Sequence, residues 1–231
     1  MESDLAQFLH PGNLRLIGVS FLTTASLSFL GCTIGFLAGF GLALMRHPRI
    51  IPFAPARWLA IIYTETFRRI PFLVKLMVVF FAFQFAGLNV SMFTVAVTTV
   101  ALSAAAFASE NVRAGLESIH NNQWDAAETL NMGGFTALRR VILPQAWPVM
   151  IPPSMTYSVG LVKSTSIASQ IGLFELTYAA RIMSGKGISA ALAYGSILIL
   201  YFVLCYSLNR FAAWLEIRLA TSRHRQTQRQ L

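Results

Sequence analysis

Four stretches of this sequence run for twenty residues or more without an Asp, Glu, Lys or Arg: 16–45, 76–109, 141–162 and 187–209. A helix of roughly 20 apolar residues crosses the hydrocarbon core of a bilayer. Composition agrees, with 55% hydrophobic and 12% charged residues, against about 25% charged in a soluble domain. Mean hydropathy is +0.60. The chain therefore reads as an all-α membrane protein. No cleavable signal peptide is expected, because the first apolar run is too long and lacks a small-residue cleavage site.

The run 76–109 is too long for one crossing, and Gly87-Leu88-Asn89 supplies turn chemistry near its middle. Five spans follow, at roughly 14–45, 57–85, 90–113, 141–168 and 188–216. Pro144, Pro148, Pro152 and Pro153 crowd the fourth, whose start is expected to be bent or broken. Arg and Lys near span ends set orientation. One side holds Arg46, Arg49, Arg57, Arg113, Arg139, Arg140, Arg218, Arg223, Arg225 and Arg229; the other holds Arg15, Arg181 and Lys186. This bias puts the N-terminus outside, and the loop 119–144 and the C-terminus in the cytoplasm.

The net charge of +9 does not indicate nucleic acid, because the basic residues flank the apolar runs instead of marking one soluble domain. Cys32 and Cys205 lie inside apolar runs and read as small buried hydrophobes, not as a disulfide or metal pair.

The stretch NNQWDAAETLNMGGFTALRRVIL (121–143) is polar and helix-patterned, unlike its surroundings. Asn122 and Asp125 resemble a capping pair. Trp124, Ala127, Leu130 and Met132 recur at helical spacing, and Asn131 with Gly133-Gly134 supplies a helix stop. A second amphipathic piece, Leu138 and Val141 against Arg139 and Arg140, ends at Pro144. Pattern alone leaves two readings open: a helix lying on lipid headgroups, anchored by Trp124, or a docking helix whose Ala126 and Ala127 admit a partner.

The stretch resembles the cytoplasmic EAA loop of ABC-importer permeases, reading Asp125-Ala126-Ala127, then Asn131, then Val141-Ile142-Leu143-Pro144. "TETFRRIPFLVKLMVVFF" (64–81), "ALSAAAFASENVRAGLESI" (101–119) and "LVKSTSIASQIGLFEL" (161–176) are similar, in order and spacing, to the polar amino-acid permeases of the MetI-like family. Departures from that pattern are Asp125 for Glu, Asn131 for Gly, Arg69-Ile70 for Gly-Thr, Lys75 for Gln, Ser103 for Asn and His120 for Pro.

The resemblance implies a five-span, MetI-like, type I importer permease of the bacterial inner membrane. Its coupling helix would comprise Asn122, Gln123, Trp124, Asp125, Ala126, Ala127, Leu130, Asn131 and Met132, seated in a groove on a separate ABC ATPase. The chain itself has no G-x-x-x-x-G-K-[ST] loop, so ATP and Mg would be bound by two ATPase subunits, and no cofactor or catalytic role is expected here. The implied partners are a second permease chain, identical or homologous, a periplasmic or lipid-anchored solute-binding protein, and membrane lipids. Gly31, Gly35, Ala38, Gly39 and Gly41 would let the first span pack closely against a neighbour.

Ionisable residues within spans face a cavity or a partner. Glu65, Arg68, Arg69 and Lys75 fall in span two, Glu110 in span three and Lys163 in span four. Two readings stand: Arg68 or Arg69 pairs with Glu65 and simply holds helices together, or the charges line the solute path. The candidate pathway residues are Arg68, Phe72, Lys75, Ser103, Glu110, Lys163, Thr165 and Ser166. In a continuous second helix, Arg68, Phe72 and Lys75 share one face. Retention of Arg68 with Lys75 in place of Gln favours an anionic amino acid or a carboxylate-rich conjugate such as an opine, and disfavours basic amino acids.

Rival readings are an osmolyte or metal importer of the same architecture, a membrane channel or scaffold, and an integral-membrane enzyme. The last would need a constellation such as H-E-x-x-H; His10, His47, His120 and His224 are scattered instead.

Overall fold

The computed structural model describes residues 2–228, with side chains over 4–219. Among the basic residues from which the orientation is expected, Arg229 lies outside the described residues, as do the side chains of Arg223 and Arg225. The described residues are helices and turns, without strands.

Helices α1 (Glu2–Phe8) and α2 (Pro11–Arg46) open the chain. Pro11 takes the first helical position, where its missing N–H costs nothing. They are followed by α3 (Ala54–Arg69), α4 (Phe72–Phe85), α5 (Met92–Glu117), α6 (Asn121–Thr129) and α7 (Gly134–Ala137). A π turn, Leu138–Ile142, leads into α8 (Leu143–Ser164), which tightens into a 3-10 stretch, Thr165–Ile171. Helices α9 (Leu176–Gly185) and α10 (Ala190–Gln228) complete it.

Among the described residues, three helices are long and apolar enough to cross a membrane: Pro11–Arg46, Met92–Glu117 and, within α10, Ala190–Leu219. They match the first, third and fifth expected spans within a few residues. The second expected span is not one helix. It breaks at Ile70-Pro71 into α3 and α4, because Pro71 offers no N–H and disfavours helical backbone at the residue before it. The fourth differs in the opposite sense: α8 stays helical through Pro144, Pro148, Pro152 and Pro153. The irregularity sits just upstream, where the Leu143 N–H reaches back to the Leu138 carbonyl as a π turn. The Gln145 side chain donates to the Val141 carbonyl at 2.8 Å.

The chain divides into two compact units. The first comprises Met1–Thr33, Ile70–Ala101 and Ser158–Leu208. Its core gathers Leu176, Ala180, Met183, Ile188, Ala193 and Ile197, flanked by Phe8, Leu16, Ile17 and Phe21. Here α2 approaches α5 at Gly31, where a Cβ would lie 2.5 Å from a Val100 methyl. Buried Glu175 caps α9 by accepting from the Tyr178 N–H (2.9 Å) and from the Tyr201 hydroxyl (2.8 Å).

The second unit comprises Ile34–Arg69, Leu102–Tyr157 and Asn209–Leu231. Its core includes Ala43, Val112, Leu116, Trp124, Ala127, Leu138, Ile142 and Met150. Close helix approach recurs at Gly39 and Gly115: a Cβ at Gly115 would overlap Met150. Gly41 has nothing within 4 Å, so the expected small-residue packing holds for part of the glycine row. Cys205 is buried and Cys32 partly so, and both are free.

Candidate functional site

The polar stretch between α5 and α8 forms its helix, α6, with each end closed by a specific device. At the N-terminus the cap is His120, whose Nδ1 accepts from the Asn122 N–H at 3.2 Å, and not the expected Asn122–Asp125 pair. Histidine stands outside the usual capping set, which is why the pattern does not reveal it. At the C-terminus Asn131 adopts φ 55, as expected. The Met132 N–H bonds to the Ala127 carbonyl (3.0 Å) and the Asn131 N–H to the Glu128 carbonyl (2.8 Å), the paired bonds of a Schellman stop. Gly133 and Gly134 therefore do not end α6. Gly133 is extended and precedes α7, and a Cβ on Gly134 would sit 2.7 Å from the Arg49 carbonyl oxygen.

The two faces of α6 differ. Trp124 and Ala127 are buried in the second unit's core. Trp124 is 5% exposed, which overturns the reading of Trp124 as a headgroup anchor. Asn122, Asp125, Ala126, Glu128 and Thr129 are exposed, Gln123 is half-buried, and Gln123 lies 3.3 Å from the Gln145 amide. Leu130 departs from the expected buried stripe: it is 70% exposed. Met132 packs at the edge of the core.

Two residues unassigned by the pattern meet this helix. Arg49 Nη1 donates to Asp125 Oδ1 at 2.9 Å, and its guanidinium lies 5.9 Å from the Trp124 ring. His47 stacks on Trp124, centroids 4.7 Å apart and planes 22° apart. Burial holds the His47 imidazole below its ordinary pKa, the Arg49 charge adds to that, and Glu117 opposes it.

The candidate pathway residues separate between the units. In the second unit, Arg68 lies over the Phe107 ring (5.4 Å) and 3.7 Å from Glu110. Glu110 also accepts from Arg46 (3.0 Å) and from Arg113, so this carboxylate joins α2, α3 and α5. The expected pairing with Glu65 is present, from Arg69 at 2.7 Å and from Arg68 at 4.0 Å. Ser103 is fully buried.

In the first unit, Lys75 is buried on α4, which packs against the 3-10 stretch, and Phe72 is partly buried on the same helix. The continuous second helix expected for Arg68, Phe72 and Lys75 is interrupted at Ile70-Pro71, so Arg68 belongs to α3 and Phe72 and Lys75 to α4. Lys163 is exposed. The Thr165 and Ser166 hydroxyls donate to the Val162 and Lys163 carbonyls at 2.7 and 2.8 Å, the local bonding usual for hydroxyls in apolar helices.

The profile of the family described as "Binding-protein-dependent transport system inner membrane component" matches residues 31–221. The chain is 33% identical to the L-cystine transport system permease protein TcyB of Bacillus subtilis (strain 168), over 85% of this chain and 83% of that one. It is 31% identical to the probable glutamine ABC transporter permease protein GlnM of the same organism, over 87% and 92%. Among solved structures, an amino acid ABC transporter crystallised with histidines superposes with a TM-score of 0.79 at 30% identity, covering 89% of this chain and 94% of that one. An inward-facing MetNI methionine ABC transporter superposes at 0.80 with 19% identity, covering 91% and 99%, which speaks for the fold alone. The chain belongs to the inner-membrane permease family of binding-protein-dependent ABC transporters.

Proposed function

We propose that this chain is the permease subunit of an ATP-driven amino-acid importer, with α6 as the coupling helix on which a separate ABC ATPase docks. The observation that carries the reading is the division of α6. Its inner face, Trp124 and Ala127, is buried in the permease, while Asn122, Ala126, Thr129 and Leu130 stand exposed outside the apolar spans. A short helix fixed on one side and open on the other suits a rigid-body input. On this reading two ATPases bind ATP and Mg, close, and move two permease chains between inward- and outward-open states, while a solute-binding protein delivers the solute. The basic residues near span ends support an N-terminus outside and α6 in the cytoplasm, with α3–α4 and α8 as the remaining two of five spans.

The relatives named for cystine and glutamine support an amino acid as solute. Lys75, buried on α4 beside the hydroxyl-bearing 3-10 stretch, supports a role in meeting a substrate carboxylate. An anionic amino acid or an opine fits that cation better than a basic amino acid. Arg68, Phe72, Ser103, Glu110, Lys163, Thr165 and Ser166 remain the accompanying pathway candidates.

The test is reconstitution with the neighbouring ATPase and receptor. Uptake of glutamate, aspartate or an opine should exceed that of arginine or lysine, and Asp125→Lys should lower uptake about fivefold while insertion is unchanged. Preferred uptake of a basic amino acid sinks the pocket assignment. Normal coupling by Asp125→Lys sinks a coupling role for that position.

A further inference from the structure

We infer that the α2–α3 connection is a clasp that sets the pose of α6, with Arg49 and His47 as positioning residues for coupling; this rests on the coupling role proposed for α6. The connection leaves α2 at Arg46 and is itself a hydrogen-bonded turn: the His47 carbonyl accepts from the Ile50 N–H (3.1 Å) and the Ile51 N–H (3.0 Å). From this turn Arg49 reaches Asp125 at 2.9 Å, and His47 covers the Trp124 ring at 4.7 Å. The Arg49 carbonyl lies so near Gly134 that a side chain there would meet it at 2.7 Å. Ile50 packs on the same apolar cluster as Trp124 and Ala127. The turn thus holds α6 and the start of α7 together.

Two consequences follow for the coupling segment. First, Asp125 is already engaged by a cation of its own chain, so the face left for the ATPase is Asn122, Ala126, Thr129 and Leu130, opposite Trp124 on the helical wheel. Second, a displacement of α6 reaches the end of α2 through the clasp, as well as passing along the chain through α7 and the π turn. Arg46, the last residue of α2, is bonded to Glu110 of α5 at 3.0 Å, which extends the same connection to a third helix. The Arg49–Asp125 pair is partly exposed, with side chains 40% and 58% accessible. Such a pair adds little stability, so its contribution is orientation.

The experiment is a charge swap in the full complex of permease, ATPase and receptor in proteoliposomes, read as solute-stimulated ATP hydrolysis and uptake. Arg49→Glu and Asp125→Arg should each lower both rates about fivefold, and the double variant should return to within about twofold of wild type, the signature of a direct pair in a double-mutant cycle. His47→Phe, which keeps the stack, should retain coupling, and His47→Ala should lower it. Permease insertion and the elution profile of the solubilised complex control for folding. If the double variant stays as low as Asp125→Arg alone, Asp125 serves the ATPase directly and the clasp is wrong. If the wild-type permease recovers no ATPase through α6, the coupling role itself fails, whatever the swap does.

Discussion

Gly39 of α2 lies against the backbone of Ala105 in α5: a Cβ at Gly39 would come 2.5 Å from the Ala105 carbonyl oxygen and 2.7 Å from the Ala108 methyl. Backbone cannot yield as a flexible side chain can, so the two helices must separate to admit any larger residue. Gly39→Val should lower stability by about 1–3 kcal/mol or more, as overpacking does. Gly41→Val, at a position with nothing within 4 Å, should be tolerated. Thermal unfolding of both variants in detergent compares them; equal midpoints would mean that the α2–α5 contact is looser than described.

Glu110 accepts from Arg46 and Arg113 and lies 3.7 Å from Arg68. Its side chain is 20% accessible and that of Arg46 10%. Removing the carboxylate charge leaves Arg46 shielded and without its anion, while Arg68 and Arg113, 34% and 33% accessible, keep Glu65 and Glu117 as partners. Breaking a fully buried pair costs about 3–5 kcal/mol, and partial exposure reduces that here. Glu110→Gln should therefore destabilise the permease, and Glu110→Asp should recover part of the loss. A Glu110→Gln protein with wild-type thermal stability but no uptake would instead favour direct contact with solute.

His47 provides the pH dependence. Its imidazole is held below the ordinary value by burial against Trp124, then by Arg49, with Glu117 opposing. A depressed histidine pKa means that the unfolded chain binds the proton more readily, so stability is full above the unfolded value of about 6.5 and falls as pH drops through it. The midpoint of thermal unfolding should fall further between pH 7.5 and 5.5 in the wild type than in His47→Phe. The titratable neighbours Arg49, Glu117 and Asp125 are present in both proteins, so their contribution cancels in the comparison. Identical slopes would show that His47 titrates as if in water.

The spans that the sequence makes legible are those whose signal is local. Long uncharged runs mark α2, α5 and the membrane part of α10, because burial in lipid demands apolar side chains at every turn. The break between α3 and α4 escapes the same reading: Glu65, Arg68 and Arg69 already interrupt the apolar signal just before Ile70-Pro71, and it is Pro71, with no N–H and a restricted residue before it, that interrupts the helix. In the candidate site, Asn131 is legible because few residues adopt its backbone. His120 is not, since a histidine cap has no distinctive spacing. Arg49 is the plainest case. It meets Asp125 across 76 residues, and no periodicity carries a contact formed only when the α2–α3 connection packs on α6. Trp124 shows the converse, since amphipathic pattern says that one face is apolar but not whether lipid or protein covers it.

Asn131 gives the last test, because the stop it makes sets where α6 ends and so where its exposed face points. At φ 55 a side chain with a Cβ is strained, asparagine less than most because its amide can bond locally, and glycine not at all. Asn131→Gly should thus be neutral or stabilise by up to about 1 kcal/mol, with uptake preserved. Asn131→Val should cost about 1–2 kcal/mol and loosen the Met132-to-Ala127 and Asn131-to-Glu128 bonds that close the helix. The two variants are compared by hydrogen exchange at residues 127–132 and by ATPase recovery from the solubilised complex. Faster exchange in Asn131→Val with reduced ATPase recovery ties the helix stop to docking. Faster exchange with full recovery would mean that the ATPase itself orders the end of α6 on binding.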